Sequence, residues 1–463
     1  DSTRTVPNAI NEYPIFSFVW GDLHPHVISL FNQVFLLFIL VSALLQWKDA
    51  GREKRLVLIG LAALSLGSMP LINTWDVILY APVTVVFGIL IWYQGRSPAN
   101  SPPKVIGGSR ERPPISDPGA DGERRGLLLK DWSFLVFVPL SSVLLYLPFY
   151  LQMNTRGIQG IGLVHTPTPI TAFLLVHGIF IVLFLIFLHR EIVKRPYLLL
   201  TPVPFALAGY ASAGIAALPL AYFLAKKKRD PADLLAIFGL MVIILCEFLY
   251  LKDNMGETYY RMNTVFKFYL PAWILMGASG FSMAATLLTP LQSRLALPPH
   301  LQRAVLIGAV MLLLLAPLTV SFDYQYRDHT LDGLAYLSTA HPGDAEAVAY
   351  LRSLNGISGI VEAEGGDYTY YSRISSFTGI PAIIGMPFHE YMWRADGWFG
   401  ERTNDVRLIY EDPEQTRALM AKYNTTLLYV GDAERERYTV RVEEAGLPLI
   451  YDRSGVQIYQ ISD

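Results

Sequence analysis

Four groups of residues have types and spacings that could do chemistry. The first is Asn11-Glu12-Tyr13-Pro14 followed by Gly21-Asp22-Leu23-His24-Pro25-His26, directly ahead of a long apolar run. Asp22 and His26 are four apart, so one helical turn would put them on one face. A carboxylate beside the imidazoles of His24 and His26 can hold a divalent cation such as Mg or Mn, or act as an oriented general base. The competing reading makes Asp22 the cap of the helix that follows.

The second group is Glu247, Lys252-Asp253-Asn254, Arg261-Met262-Asn263 and Lys267, gathered around one short polar stretch. Glu247 and Lys267 fall inside apolar runs, where ionisable side chains are costly and face a polar cavity or a partner. Either these two pair with each other, or Arg261, Lys267 and Lys252 form a phosphate-binding cluster. Arginine would supply a bidentate fork and lysine a point charge. Glu247, Asp253 and Asn263 would then be substrate contacts. Asp76, in Ile72-Asn73-Thr74-Trp75-Asp76, is a third candidate, as a substrate contact or a helix cap. Tyr80, His165 and His177 read as packing or interfacial residues.

The fourth group lies in the last third of the chain: Glu362-Ala363-Glu364-Gly365-Gly366, Arg373, then His389-Glu390-x-x-Trp393-Arg394, and later Glu401-Arg402 and Asp405. Polar residues this dense beyond expected strand ends suggest a loop-built substrate site with His389, Glu390, Trp393 and Arg394 as contacts. The alternative is an Arg–Glu network that knits the domain together. His389-Glu390 lacks the second histidine of a zinc-protease motif, which disfavours that chemistry.

These groups must be positioned by membrane helices. Only 16% of the 463 residues are charged, against about 25% in a soluble domain. The deficit is concentrated between about residues 27 and 321. A span needs roughly 20 mostly apolar residues, and candidates cover 27–47, 56–72, 77–93, 132–151, 170–188, 234–251, 265–288 and 304–320. The stretch 196–225 is broken by Pro202, Pro204, Gly209, Gly214 and Pro219. Its flanks, Lys194-Arg195 and Lys226–Arg229, are both basic, so it is expected to enter and return. Short basic loops stay cytoplasmic. That assigns the Pro- and Arg-rich linker 95–131 to the cytoplasm, and residues 1–26, the Asp76 turn, the Lys252–Asn263 loop and residues 322–463 to the other side.

The expected architecture is a polytopic α-helical membrane protein with three parts. These are an external segment (1–26), a helical domain (27–321) and a small extracytoplasmic α/β domain (322–463), with the protein set in the plasma membrane. In the last part, strands are expected at 359–362, 382–384, 426–430 and 456–460. One helix should open at Asp344 and another at Asp412-Pro413. A net charge of −2 gives no field that would select nucleic acid as a partner. The lone Cys246 excludes disulfides within the chain. Asn424-Thr425-Thr426 is an acceptor motif for glycosylation. The chain opens at Asp1 in polar, aromatic sequence of the kind that joins two spans, so a further span upstream is expected.

The residues Asn11-Glu12-Tyr13-Pro14-Ile15-Phe16-Ser17-Phe18, Gly21–His26, Arg261-Met262-Asn263-Thr264-Val265-Phe266-Lys267-Phe268-Tyr269, Thr378-Gly379-Ile380-Pro381 and His389-Glu390-x-x-Trp393-Arg394 resemble the YYY family of uncharacterised polytopic membrane proteins. That family is grouped with the GT-C type membrane glycosyltransferases. The resemblance implies a GT-C-like fold, a polyprenyl-phosphate-linked sugar donor and transfer on the extracytoplasmic side. It also implies a catalytic acid in the first external loop, here Asp22 or Glu12, although the adjacent acidic pairs usual in that loop are absent. Arg261 and Lys267 would then bind the donor phosphate. The alternative is a non-catalytic subunit or scaffold of a larger membrane complex.

Overall fold

The computed structural model describes residues 4–13, 24–96, 130–153, 158–294, 332–367, 369–394 and 398–461, with isolated positions between 298 and 330. It divides into two compact units. Unit 1 is Asp1–Met153 with Gln159–Phe322, and unit 2 is Asn154–Ile158 with Asp323–Asp463.

Unit 1 is helical. Its main helices are α1 (Pro25–Gln46), α2 (Arg52–Ile72), α3 (Thr74–Arg96), α4 (Ser133–Leu145), α5 (Ile170–Phe187), α6 (Ala211–Ala225), α7 (Pro231–Phe248) and α8 (Met262–Arg294). Six helices, α1, α2, α3, α5, α7 and α8, include segments long and apolar enough to cross a membrane. Large apolar side chains such as Phe31, Phe38 and Leu175 point outward. That placement suits a lipid surround and would be an aggregation hazard in water. The expected spans match these helices closely, with two differences. The span expected at 132–151 breaks after Leu145 and restarts as Leu147–Gln152, with Pro148 in its first turn. Beyond its first position, the span expected at 304–320 lies outside the described residues.

The stretch 196–225 folds back on itself. A 3-10 turn (Pro196–Leu200) and a short helix (Pro202–Leu207) lead to Gly209, whose φ of +87° makes the reversal into α6. The Tyr222 hydroxyl then donates to the Arg195 carbonyl at 3.1 Å, bringing the end of α6 back to the start of the segment. Helix α7 begins with Asp230 as N-cap, in a reciprocal capping box with Asp233, and Pro231 at its first position. Lys226 closes the junction with an ion pair to Asp233 at 2.5 Å. Gly239 lets α7 approach α8, because a Cβ there would meet Met276 at 2.5 Å.

Two loops pair in a way no periodicity announces. β1 (Gly160–Leu163) and β2 (Leu249–Lys252) form an antiparallel ribbon running from Gly160 opposite Lys252 to Leu163 opposite Leu249. The ribbon ties the segment before α5 to the end of α7.

Unit 2 is built on a four-stranded sheet, in the order β3 (Ile360–Val361), β4 (Leu427–Val430), β6 (Val456–Gln460), β5 (Leu449–Arg453). β3 and β4 are parallel, and the other pairings are antiparallel. Helices α9 (Pro342–Ser353), α10 (Arg373–Thr378), α11 (Pro387–Arg394), α12 (Trp398–Glu411), α13 (Pro413–Lys422) and α14 (Asp432–Arg437) surround it. Ala382 contributes only a single bridge to Ile360, and β5 is an additional strand. Asp412 caps α13 as expected. Asp344 does not cap α9. His341 holds that position, and the Asp344 carboxylate turns inward to an arginine.

Candidate functional site

Two polar centres form inside unit 1, and both use the start of α8. In the first, His24 is the N-cap residue of α1 and Pro25 its first helical residue, which places His26 in the first turn. His26 Nε2 meets Glu12 Oε2 at 3.1 Å, and its ring packs edge-on against Phe266 at 4.8 Å. Further along the same face of α1 come Ser29 and Gln33, three and seven residues on. Both donate to Asp76 Oδ2, Gln33 at 3.1 Å, while Asn73 Nδ2 donates to Asp76 Oδ1 at 2.8 Å. The Tyr80 hydroxyl completes the row by donating to Gln33 Oε1 at 3.0 Å. Asp76 is therefore held by side chains of α1 and of the turn before α3, and it does not act as a helix cap. Lys267, half-buried on α8, lies within electrostatic range of Asp76 and Glu12. Its ammonium sits 4.4 Å from the Phe266 ring centre. Among the described residues no carboxylate lies within ion-pairing distance of it.

The second centre is a saturated knot. Glu247, fully buried on α7, accepts the Thr168 amide at 2.8 Å, the Thr168 hydroxyl at 2.6 Å and the Tyr269 hydroxyl at 3.1 Å. Arg261, just before α8, reaches Glu247 at 3.5 Å, donates to the Thr166 carbonyl at 3.2 Å and hydrogen-bonds the Thr168 hydroxyl. Ser212 on α6 donates to the Thr168 carbonyl at 2.6 Å. His177 packs edge-on against Tyr269 at 4.5 Å.

Several sequence expectations change here. Glu247 does not pair with Lys267. Arg261 takes that role, and Lys267 faces Asp76 and Glu12. The reason is helical geometry: Lys267 and Tyr269 are two residues apart, about 200° around α8, so they serve opposite sides of it. Arg261 and Lys267 therefore do not form one cluster. Lys252, at the end of β2, has an exposed side chain and joins neither centre. Asp253 accepts from Asn263 Nδ2 at 2.8 Å and from the Met255 amide at 3.0 Å, a local tie within the loop. Burial raises its pKa, with those two hydrogen bonds acting against the rise.

Asp22, the carboxylate of the expected metal-binding group, lies outside the described residues. The rings of His24 and His26 have centres 5.4 Å apart, and His26 Nε2 is engaged by Glu12. Among the described residues no group of three or more His, Cys, Asp or Glu side chains could hold a metal ion.

In unit 2 most of the dense polar sequence is structural. Arg373 is clamped between Asp344 (2.5 Å) and Glu434 (3.0 Å), with the Tyr429 and Tyr370 hydroxyls donating to Asp344 at 2.6 and 2.8 Å. Burial works to raise the Asp344 pKa, but the bonds from Arg373, its charge and the two hydroxyls outweigh that and hold it low. Glu362 accepts the Ile374 and Ser375 amides at 2.7 and 2.8 Å, satisfying the start of α10. Glu401 and Asp405 both bind Lys422, and Arg402 donates to the Ile383 carbonyl at 2.8 Å. His389 approaches Asp367 at 3.6 Å. It sits on α11 with Glu390, and the side chains of Trp393 and Arg394 lie outside the described residues.

The Glu12–His26 pair with Asp76 and Lys267 is thus a largely buried grouping of charge set at the ends of apolar helices. The family model described as Uncharacterized membrane protein (DUF2298) matches residues 1–276. The chain belongs to that family. As a member, it is an integral membrane protein, in keeping with its six apolar helices. The match takes in both polar centres of unit 1, from Glu12 to Tyr269. No curated protein matches the chain. Sequence reasoning missed Ser29, Gln33, Thr168 and Tyr269 as partners. The signal for the first two was present, since polar residues at 26, 29 and 33 of an apolar helix recur at helical spacing.

Proposed function

We propose that the chain is a membrane glycosyltransferase that takes its sugar from a polyprenyl-phosphate carrier at the extracytoplasmic face, with the Glu12–His26 pair as its proton-accepting centre. The observation that carries this reading is the juxtaposition just described, of a carboxylate–imidazole pair with a lysine that lacks an ion-pair partner among the described residues. In the transfer, the acceptor hydroxyl oxygen attacks the anomeric carbon and its proton passes to Glu12. The bond from that carbon to the phosphate oxygen breaks, and the electron pair leaves with the lipid phosphate. Lys267 is placed to offset the negative charge that develops on that leaving group. His26, hydrogen-bonded to Glu12, orients the carboxylate, and Asp22 is the alternative base. The extracytoplasmic placement of both the reaction and unit 2 rests on the basic loops.

The test is transfer from a supplied polyprenyl-phosphate sugar by the full-length protein in liposomes. Glu12→Gln is expected to lower the rate about 10²–10⁴-fold with the melting temperature nearly unchanged. Full activity in that variant removes Glu12 as the base. The non-catalytic alternative draws on the Arg261–Glu247 knot, where a residue suited to phosphate is engaged inside the protein through both terminal nitrogens of its guanidinium. Stable co-purifying subunits, together with no transfer from any polyprenyl-phosphate sugar, would decide for a scaffold.

A further inference from the structure

Unit 2 carries an open recess of about 360 Å³ lined by Glu364, Thr403, Asn404, Arg407, Arg437 and Tyr438, a volume in the range of small-molecule sites. Glu364 follows β3, and α14, which ends at Arg437, follows β4. The recess is therefore supplied from the carboxyl ends of the parallel strand pair, where open α/β sheets bind ligands. Helix α12 supplies Thr403, Asn404 and Arg407 at one-turn spacing.

The polar groups here are paired for charge yet incompletely hydrogen-bonded. Glu364 is 2% exposed. Arg437 Nε and Nη2 (3.2 and 2.6 Å) and the Tyr438 hydroxyl (3.4 Å) all address its Oε1, and no described residue donates to Oε2. The Thr403 hydroxyl oxygen is buried and has no hydrogen-bond partner among the described residues. A buried polar atom left unpaired is costly, so an incoming ligand group has something to gain there. Arg407 donates to Glu411 (2.8 Å) and to Asn404 Oδ1 (3.0 Å), which leaves the Asn404 amide nitrogen to donate outward. Each guanidinium thus already has its own carboxylate, and there is no surplus positive charge to select an anion. What remains is acceptors (Glu364 Oε2, Thr403 Oγ) beside donors (Arg437 Nη1, Asn404 Nδ2). That alternation suits groups that both donate and accept, namely hydroxyls.

We infer that this recess is a binding site for a neutral polyol, of the size and chemistry of a single sugar residue. It belongs to unit 2 alone, so binding there is independent of whether the Glu12–His26 centre performs transfer.

The experiment is ligand-observed saturation-transfer NMR on the full-length protein in a sugar-free detergent. The probes are methyl α-glucoside, N-acetylglucosamine and sodium glucuronate. Saturable binding of at least one neutral probe is expected, weakened about tenfold in Thr403→Val and in Glu364→Gln, as for loss of one hydrogen bond to a buried partner. Glu444→Gln, in the surface pair with Arg441, should bind like the wild type. Thr403→Val removes a hydroxyl that bonds no described residue, so it should melt normally and decides the matter if Glu364→Gln misfolds. The inference is overturned if the wild type shows no saturable binding, if folded Thr403→Val binds unchanged, or if glucuronate binds more tightly than the neutral sugars.

Discussion

The two polar centres of unit 1 share one end of α8 and differ in how far their charges are satisfied. Around Glu247, the carboxylate accepts from two hydroxyls, an amide and a guanidinium, and Arg261 is spent on the same partners and a carbonyl. Around Asp76 the hydrogen-bond partners are the neutral side chains of Ser29, Gln33 and Asn73, Glu12 is bonded to His26, and Lys267 stands near both acids without a close ion pair among the described residues. A saturated buried pair supplies rigidity and has little capacity left for a ligand. A buried acid hydrogen-bonded only by neutral groups, as Asp76 is, is more expensive to keep.

This contrast can be broken by mutation. The largest effect is expected for Arg261→Met. Removing one partner strands the Glu247 carboxylate, at a cost of about 3–5 kcal/mol, read as a steep loss of thermal stability in detergent. A variant that melts like the wild type would deny that the knot is structural. An intermediate effect is expected from acid in unit 2, whose Arg373–Asp344–Glu434 clamp is of the same saturated kind. The folded pKa of Asp344 lies below its ordinary value of 3.8. Its contribution to stability is therefore complete above 3.8 and lost as the pH falls through the depressed folded value. Asp344→Asn should flatten that acid limb of the unfolding curve. A limb of unchanged steepness would place the acid-labile group elsewhere. The smallest stability effect is expected at Lys267. Lys267→Met should change stability by less than about 1 kcal/mol or raise it, while abolishing whatever ligand binding the first centre supports. A loss as large as that of Arg261→Met would erase the distinction between the centres.

Much of the helical layout was legible. Apolar runs located α1, α2, α3, α5, α7 and α8 to within a few residues, because a span must satisfy its backbone within itself and stay apolar along its length. Basic flanks and the Pro/Gly breaks anticipated the fold-back at 196–225. The candidate site was legible only in part. Glu12, His26 and Asp76 are polar residues at the edges of apolar runs, and Lys267 is one inside such a run. Their grouping is not legible there, since Ser29 and Gln33 carry no charge and Arg261 falls close to Lys267 in the sequence. In unit 2 the density of charge was visible, but most of it proved to be an internal network.

The amino-acid sequence by itself determined that this is a membrane protein, where its main helices run, and which ionisable residues sit where ionisable residues are costly. Those properties depend on composition and periodicity, which are local. Only the tertiary structure decided who partners whom: Glu247 with Arg261, Glu12 with His26, Asp76 with the row Ser29, Gln33 and Asn73. Partnership depends on which face of α8 meets which neighbour, and residues two apart on a helix point to opposite sides. One turn of α8 thus feeds two centres of different character.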